Sequence, residues 1–296
     1  MNPCLDLFGR GVARSALFVL LAAVILTGCG GKKTDEQVSE DSSRSNEEEA
    51  AKAETPARQA APVDPRFRQT FADATRAEPP PDCRPSDATS TGKSTGKLYT
   101  EVKNLWDTIP LTGEDGKLLT YRAIIETKLG NIEIDLKPDI APNHVRNFIA
   151  LARAGYFDGL LFDGIVHQSA PDKPEIKADL IVAGNPTGMD DAGITSLGSI
   201  GYWLKPEFSD QPLHEEGAIG AIHGEEADTA ACRFYIMLSK APNLDGTSTV
   251  FGKITKGLDV VRTIATQPFK PDEQEEGFGR PLQPVAMEKV TVHVVK

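Results

Sequence analysis

The chain has 296 residues, of which 40% are hydrophobic and 25% charged, and a formal net charge of −11 at pH 7. That length suffices for one large domain or two small ones. So acidic a chain repels phosphate backbones, which argues against nucleic acid as a partner.

The first hundred residues do not read as core material. Arg10 and Arg14 precede an apolar run over residues 16–26. As a helix that run is too short to span a bilayer core of ~30 Å, and it suits a signal peptide covering residues 1–28. It ends in Leu26-Thr27-Gly28-Cys29, which resembles the lipobox of bacterial lipoproteins. The resemblance implies that Cys29 is acylated and becomes the new amino terminus. Acyl chains contribute ~0.8 kcal/mol per buried CH₂, so two or three hold a protein on a membrane. Gly30 follows where an aspartate would retain a lipoprotein at the inner membrane. The expected location is therefore the cell envelope, lipid-anchored on the outer membrane and facing the periplasm.

Residues 29–61 are mostly Glu, Ser, Lys, Ala and Asp, with Glu47, Glu48 and Glu49 in succession. Such a segment cannot offset its own ordering entropy and is expected to be a disordered acidic tether. Residues 62–117 read as an extended arm and a short helix. Phe67 and Phe71 sit four apart, Pro79-Pro80-Pro81 stops any helix, and Val102, Leu105, Trp106 and Ile109 share one helical face ahead of Pro110. Gly92-Lys93-Ser94 lacks the upstream strand and the glycine, replaced by Asp87, that a phosphate-binding loop requires.

From residue 118 to 296 the pattern changes to short alternating strands with glycine turns. Ile124, Ile132, Ile134 and Leu136 alternate about Leu129-Gly130-Asn131 as a half-buried hairpin. A helix then opens on Pro142, buries Val145, Phe148, Ile149 and Ala152, and stops at Gly155. Further strands are expected over 180–182, 218–222, 234–238, 249–254 and 290–294, and a second helix over 258–266 with Val261, Ile264 and Ala265 inward. Many strands with two helices fit a mainly β domain, a closed antiparallel barrel that leaves no exposed edge. Residues 168–179 read as an insertion.

Cys4 leaves with the signal and Cys29 takes lipid, which leaves Cys83 and Cys232. An exported location permits a disulfide between them, and two independent thiols are the other reading. His144, His167, His214, His223 and His293 show no ligand spacing such as i, i+4, so no metal site is expected.

The order of motifs in this domain resembles one family. Thr127-Lys128-Leu129-Gly130-Asn131 precedes the first hairpin's return strand, Ala141-Pro142-Asn143-His144-Val145-Arg146-Asn147-Phe148 opens the helix, and Gly155-Tyr156-Phe157-Asp158-Gly159 follows. Later come Arg233-Phe234-Tyr235-Ile236, Leu244-Asp245-Gly246 and Val250-Phe251-Gly252-Lys253. Together they resemble the cyclophilin family of peptidyl-prolyl isomerases over about 175 residues. The resemblance implies an eight-stranded cyclophilin-like barrel capped by two helices, no cofactor, and proline-containing peptide or protein segments as the ligand. The domain is expected to be a monomer.

The family rotates the bond before proline, whose barrier is ~18–20 kcal/mol. A hydrophobic pocket holds the prolyl ring and an arginine engages the prolyl nitrogen. By resemblance Tyr235 is the pocket floor, Leu244 a wall, Phe234 and Phe251 nearby aromatics, and Val182 stands where the family has a glutamine. Gly164 takes the place of the arginine, Asp163 that of the histidine before it, Ser248 a pocket histidine, Asn243 a frequent tryptophan and Gly224 an asparagine. Arg233, at a glutamine position beside the catalytic arginine, is the candidate replacement cation. The competing reading makes it a surface arginine paired with Glu225, Glu226 or Asp228. The expectation is a peptidyl-prolyl isomerase of weakened activity acting on exported proteins. The alternative is a non-catalytic binding module of the same fold, using the groove or the helix over 99–109.

Overall fold

The computed structural model describes residues 64–76, 86–170, 173–189, 198–211, 213–224, 226–271 and 277–295. The expected signal peptide, the lipidated Cys29, the acidic tether and Cys83 lie outside the described residues. In chain order the elements are α1 (Phe71–Ala74), β1 (Thr75–Arg76), α2 (Thr95–Trp106), β2 (Thr120–Thr127), β3 (Gly130–Leu136) and α3 (Pro142–Arg153). Next come β4 (Phe162–Ala170), β5 (Lys173–Ala183), β6 (Trp203–Leu204), β7 (Ala218–Ala221), β8 (Phe234–Met237) and β9 (Val250–Lys256). The chain ends with α4 (Leu258–Ala265), β10 (Phe269–Pro271), β11 (Phe278–Pro281) and β12 (Lys289–Val295).

Strands β2 and β3 form the expected hairpin, with Ile125 opposite Ile132 and Thr127 opposite Gly130. The inward set on β2 is Tyr121, Ala123 and Ile125, however, and Ile124 faces outward half-buried. A period of two makes this a one-residue correction that flips the face of every β2 side chain.

The main sheet is antiparallel in the order β10-β11-β4-β5-β8-β7-β9-β3-β2-β12. Among the described residues ten strands pair in an open order with β10 and β12 at its ends, and the closed eight-stranded ring expected is not confirmed. A short ladder links the stretch before β12 to the stretch before β4, through the Leu161–Ala286 bridge and the Phe162 N–H to the Val285 carbonyl. The residues taken for an insertion prolong the β4–β5 hairpin, with Gln168 opposite Ala178 and Ser169 opposite Lys177.

On β8, Phe234 and Ile236 point to the main core while Tyr235 and Met237 join a second apolar cluster. On β5, Ile181 and Ala183 take the first side, Leu180 and Val182 the second. The strands alternate as the pleat demands, yet both faces are buried here.

Helix α3 is buried almost all round, including His144, Arg146 and Asn147. Its apolar stripe packs on the sheet, and its polar face is covered by α2 and the arm. The arm is not simply extended: it makes a 3₁₀ turn at Pro65–Arg68, then α1 and β1, and β1 pairs with β6. The Arg146 guanidinium donates to the carbonyls of Phe67 (2.7 Å) and Gln69 (3.2 Å) and lies over the Trp106 ring. Its own helix lacks a side-chain cap, and Glu207 supplies one by accepting the N–H groups of Asn143 and His144. A carboxylate at that end satisfies orphan donors and complements the helix dipole.

Cys232 is a free, buried thiol, the second of the two readings offered for it. Burial pushes its pKa up to about 12, so it stays protonated and inert.

Candidate functional site

Three strands bring the resemblance-derived pocket residues together. Gly164 on β4 stands directly across from Val182 on β5, and Val182 across from Tyr235 on β8. This register supports the placing of Val182 beside Gly164 despite the lengthened hairpin between them. Leu244, from a 3₁₀ turn at Pro242–Leu244, packs into the same cluster. Phe234 and Phe251 do not join it. Both lie in the main core, where their rings sit 5.7 and 5.6 Å from that of Phe148. They support the sheet from its main-core side.

Tyr235 is 3% exposed and its phenol lies flat on Gly220, where a Cβ would come within 2.1 Å of it. Its hydroxyl is 2.7 Å from His214 Nε2, and His214 Nδ1 is 2.7 Å from Asp245 Oδ1. Asp245 Oδ1 also accepts the backbone N–H groups of Leu213 and His214. A carboxylate can only accept, so Nδ1 carries the proton and Nε2 accepts from the Tyr235 hydroxyl. Burial lowers the His214 pKa, against the opposing pull of Asp245, which keeps the ring neutral. Burial raises the Tyr235 pKa, so the phenol is a hydrogen-bond donor and not an anion.

Gly164 has no space for a side chain as the molecule stands. A Cβ there would lie 2.6 Å from Phe278 Cε2 and 3.3 Å from Val182 Cβ. The Phe278 ring, from β11, therefore covers the place from which an arginine would project. Phe278 is 2% exposed and belongs to the same cluster as Val182, Tyr235 and Leu244. Sequence reasoning missed it, although a signal existed: Phe269 and Phe278 flank a proline, acidic residues and a glycine, a longer-loop hairpin pattern.

Arg233 is neither at the surface nor paired with the Glu226–Asp228 segment. Its side chain is fully buried and Nη2 meets Asp163 Oδ2 at 2.5 Å. Glu226 and Asp228 pair instead with Arg76 on the arm. Gly198 packs on the Arg233 stem, where a Cβ would come within 2.3 Å. Asp163 sits at a bulge between the Phe162 and Gly164 pairings, which turns its carboxylate toward this pair. Burial raises the Asp163 pKa, and Arg233 opposes that shift.

At the rim, the ring nitrogens of His223 face the carbonyl oxygens of Gly224 (2.7 Å) and Thr247 (2.8 Å), and Ser248 is buried nearby. A separate shallow hollow of about 510 Å³, bounded by His167, Asp179, Arg262 and Phe269, shares no residue with the cluster. Arg262 and His167 are already engaged there by Glu216 and Asp179.

The model of the family described as "Cyclophilin type peptidyl-prolyl cis-trans isomerase/CLD" matches residues 122–292, more than half of the chain. The chain belongs to the cyclophilin-type peptidyl-prolyl isomerase family. Among characterised relatives, peptidyl-prolyl cis-trans isomerase B of Bacillus subtilis is 33% identical over 147 residues, 49% of this chain and 91% of that protein. A probable peptidyl-prolyl cis-trans isomerase of Brucella suis is 32% identical over 154 residues, 52% of this chain and 74% of that protein. The mouse peptidylprolyl isomerase domain and WD repeat-containing protein 1 is 28% identical over 71% of this chain, and the match spans only 30% of its length. A crystal structure of a Cryptosporidium parvum cyclophilin-type isomerase aligns over 60% of this chain and 99% of its own, at 22% identity and a TM-score of 0.47.

Gly164, beneath the Phe278 ring, is part of an apolar cluster with Val182, Tyr235 and Leu244.

Proposed function

We propose that this protein is a peptidyl-prolyl cis-trans isomerase of weakened activity that acts on proline-containing segments of exported proteins. It is held in the cell envelope by lipid on Cys29 and works on the periplasmic side of the outer membrane. The observation that carries the reading is Gly164 beneath Phe278, in a cluster with Val182, Tyr235 and Leu244. The apolar cluster can hold a prolyl ring once Phe278 moves aside, and holding the ring in a dry site favours the twisted amide. The donor that would weaken amide resonance is missing from position 164. One charged hydrogen bond is worth about 1.5–3 kcal/mol, so its loss lowers the rate roughly 10- to 100-fold. Arg233, whose Nη2 is engaged by Asp163, is the candidate replacement for that donor.

A protease-coupled isomerase assay on short Ala-Pro peptides tests the reading. A rate above the uncatalysed control, yet well below that of a family member carrying the arginine, is expected. A rate equal to the control removes the enzyme. Fractionating cells that express Cys29→Ser tests the anchor: the protein leaves the membrane fraction if Cys29 carries it.

A further inference from the structure

We infer that Phe278 is the residue that decides which ligands enter the Gly164–Tyr235 cluster, by occupying it as an intramolecular ligand. This rests on the reading above in that it assigns the same cluster a ligand. The cluster brings Gly164, Val182 and Tyr235 on three neighbouring strands together with Leu180, Met237 and Leu244, and the benzyl ring of Phe278 packs in it against Gly164.

The strand that brings this ring lies between β4 and the edge strand β10, and Arg280 on it donates to the Met189 carbonyl. Strand β11 pairs with β4 only through Phe278 opposite Val166 and Gly279 opposite Ile165, with one further bond from the His167 N–H to the Gly277 carbonyl. Its other neighbour, β10, is a three-residue edge strand whose Lys270 and Pro271 are exposed. The Phe278 side chain in the apolar cluster adds to these attachments. A ligand displaces such a ring where its contacts outweigh both those of the ring and the cost of association.

The chemistry of the walls states what that ligand is. The side chains named are apolar except for Tyr235, whose hydroxyl is already bonded to His214. Nothing in this lining selects charge, and the space vacated by one benzyl ring admits a compact apolar ring or side chain on a peptide. A prolyl segment fits that class, and binding requires Phe278 to withdraw first. The apparent affinity of the unsubstituted protein is reduced by the fraction of time Phe278 is seated.

Calorimetric titration of the full chain with a blocked Ala-Ala-Pro-Ala peptide tests this, with isomerisation of the same peptide followed in parallel. Two variants vacate the cluster by different routes. Phe278→Ala removes the ring, and Gly164→Ala pushes it out with a Cβ while leaving its apolar area in the chain. Both are expected to bind the peptide at least fivefold more tightly than the unsubstituted protein. Folded variants that bind no tighter overturn the assignment. Should Phe278→Ala fail to fold, Gly164→Ala decides. Hydrogen exchange of the amides of residues 277–280 in the unsubstituted protein gives a third reading: peptide is expected to accelerate it, and unchanged exchange at saturation overturns the assignment. Tighter binding with no rate above the uncatalysed control sinks the enzyme and leaves Phe278 standing. A measurable rate that neither variant alters, with unchanged affinity, does the reverse.

Discussion

The Arg233 guanidinium meets the Asp163 carboxylate at 2.5 Å, with both side chains buried. A cation and an anion taken out of water together are tolerable, whereas either alone is costly. Asp163 precedes Gly164 on β4 and Arg233 precedes β8, so the pair holds its opposite charges together beside the Gly164–Tyr235 cluster.

Arg233→Ala is expected to destabilise the fold by about 3–5 kcal/mol, the range for breaking a buried pair by removing one partner. Arg233→Met combined with Asp163→Leu is expected to recover most of that loss, because an apolar pair leaves no orphaned charge. Urea denaturation with a shared m-value measures both. If Arg233→Ala unfolds at the unsubstituted midpoint, the pair contributes nothing. The isomerase rate per folded molecule of Arg233→Ala then asks a separate question, whether the guanidinium ever leaves Asp163 for a substrate.

Restoring the arginine requires space as well as a residue change. Gly164→Arg alone drives a Cβ into the Phe278 ring, so the guanidinium stem has nowhere to run. Gly164→Arg with Phe278→Ala is expected to isomerise an Ala-Pro peptide 10- to 100-fold faster than Phe278→Ala alone, the worth of one charged donor. Stopped-flow proteolysis of the trans peptide reads this directly. Equal rates in the two variants would show that the remaining lining, with Val182 and Ser248 in place of polar family residues, also lacks something the reaction needs.

Much of the fold was legible because local pattern and tertiary demand agree. Strands β7, β8, β9 and β12 and helices α3 and α4 fall within one or two residues of the expected spans, since alternation, Pro142 and Gly155 each act locally. What was not legible depends on contacts distant in sequence. Ile124 and Ile125 are both apolar, so only the partner strand decides which faces inward. The burial of Arg146 depends on carbonyls at Phe67 and Gln69, almost eighty residues away, and no helical period encodes that. Val182, Tyr235 and Leu244 could be placed through resemblance. Phe278 could not, because its segment matched none of the motifs that carried the resemblance and only folding brings it to Gly164.

The arm is part of the folded unit. Phe71 makes edge contacts with Tyr99, Trp106 and Tyr202 at centroid distances of 5.8, 5.4 and 5.0 Å. Phe71→Ala is expected to cost about 3–5 kcal/mol, as for other buried aromatics. Removing residues 1–76 is expected to lower the melting temperature further, since Arg146 then loses the Phe67 and Gln69 carbonyls while buried against Trp106. A deletion as stable as the full chain in differential scanning calorimetry would show the arm to be dispensable.

His214 makes stability depend on pH in a direction that can be worked out. Its folded pKa lies below the usual 6.5, chiefly through burial. Between the two values the unfolded chain binds a proton that the folded chain does not, so stability rises with pH there. The contribution is present above about 6.5, the unfolded value, and is lost as pH falls through the folded value. Protonation also turns Nε2 into a donor and removes the acceptor that Tyr235 uses. Urea midpoints are therefore expected to fall from pH 7.5 to pH 5.5, and to fall less in His214→Gln, whose amide can donate to Asp245 and accept from Tyr235 without titrating. Other histidines contribute to the slope of both proteins alike, so the difference between the two curves isolates His214. Parallel curves would show that the ring's burial is relieved before it titrates.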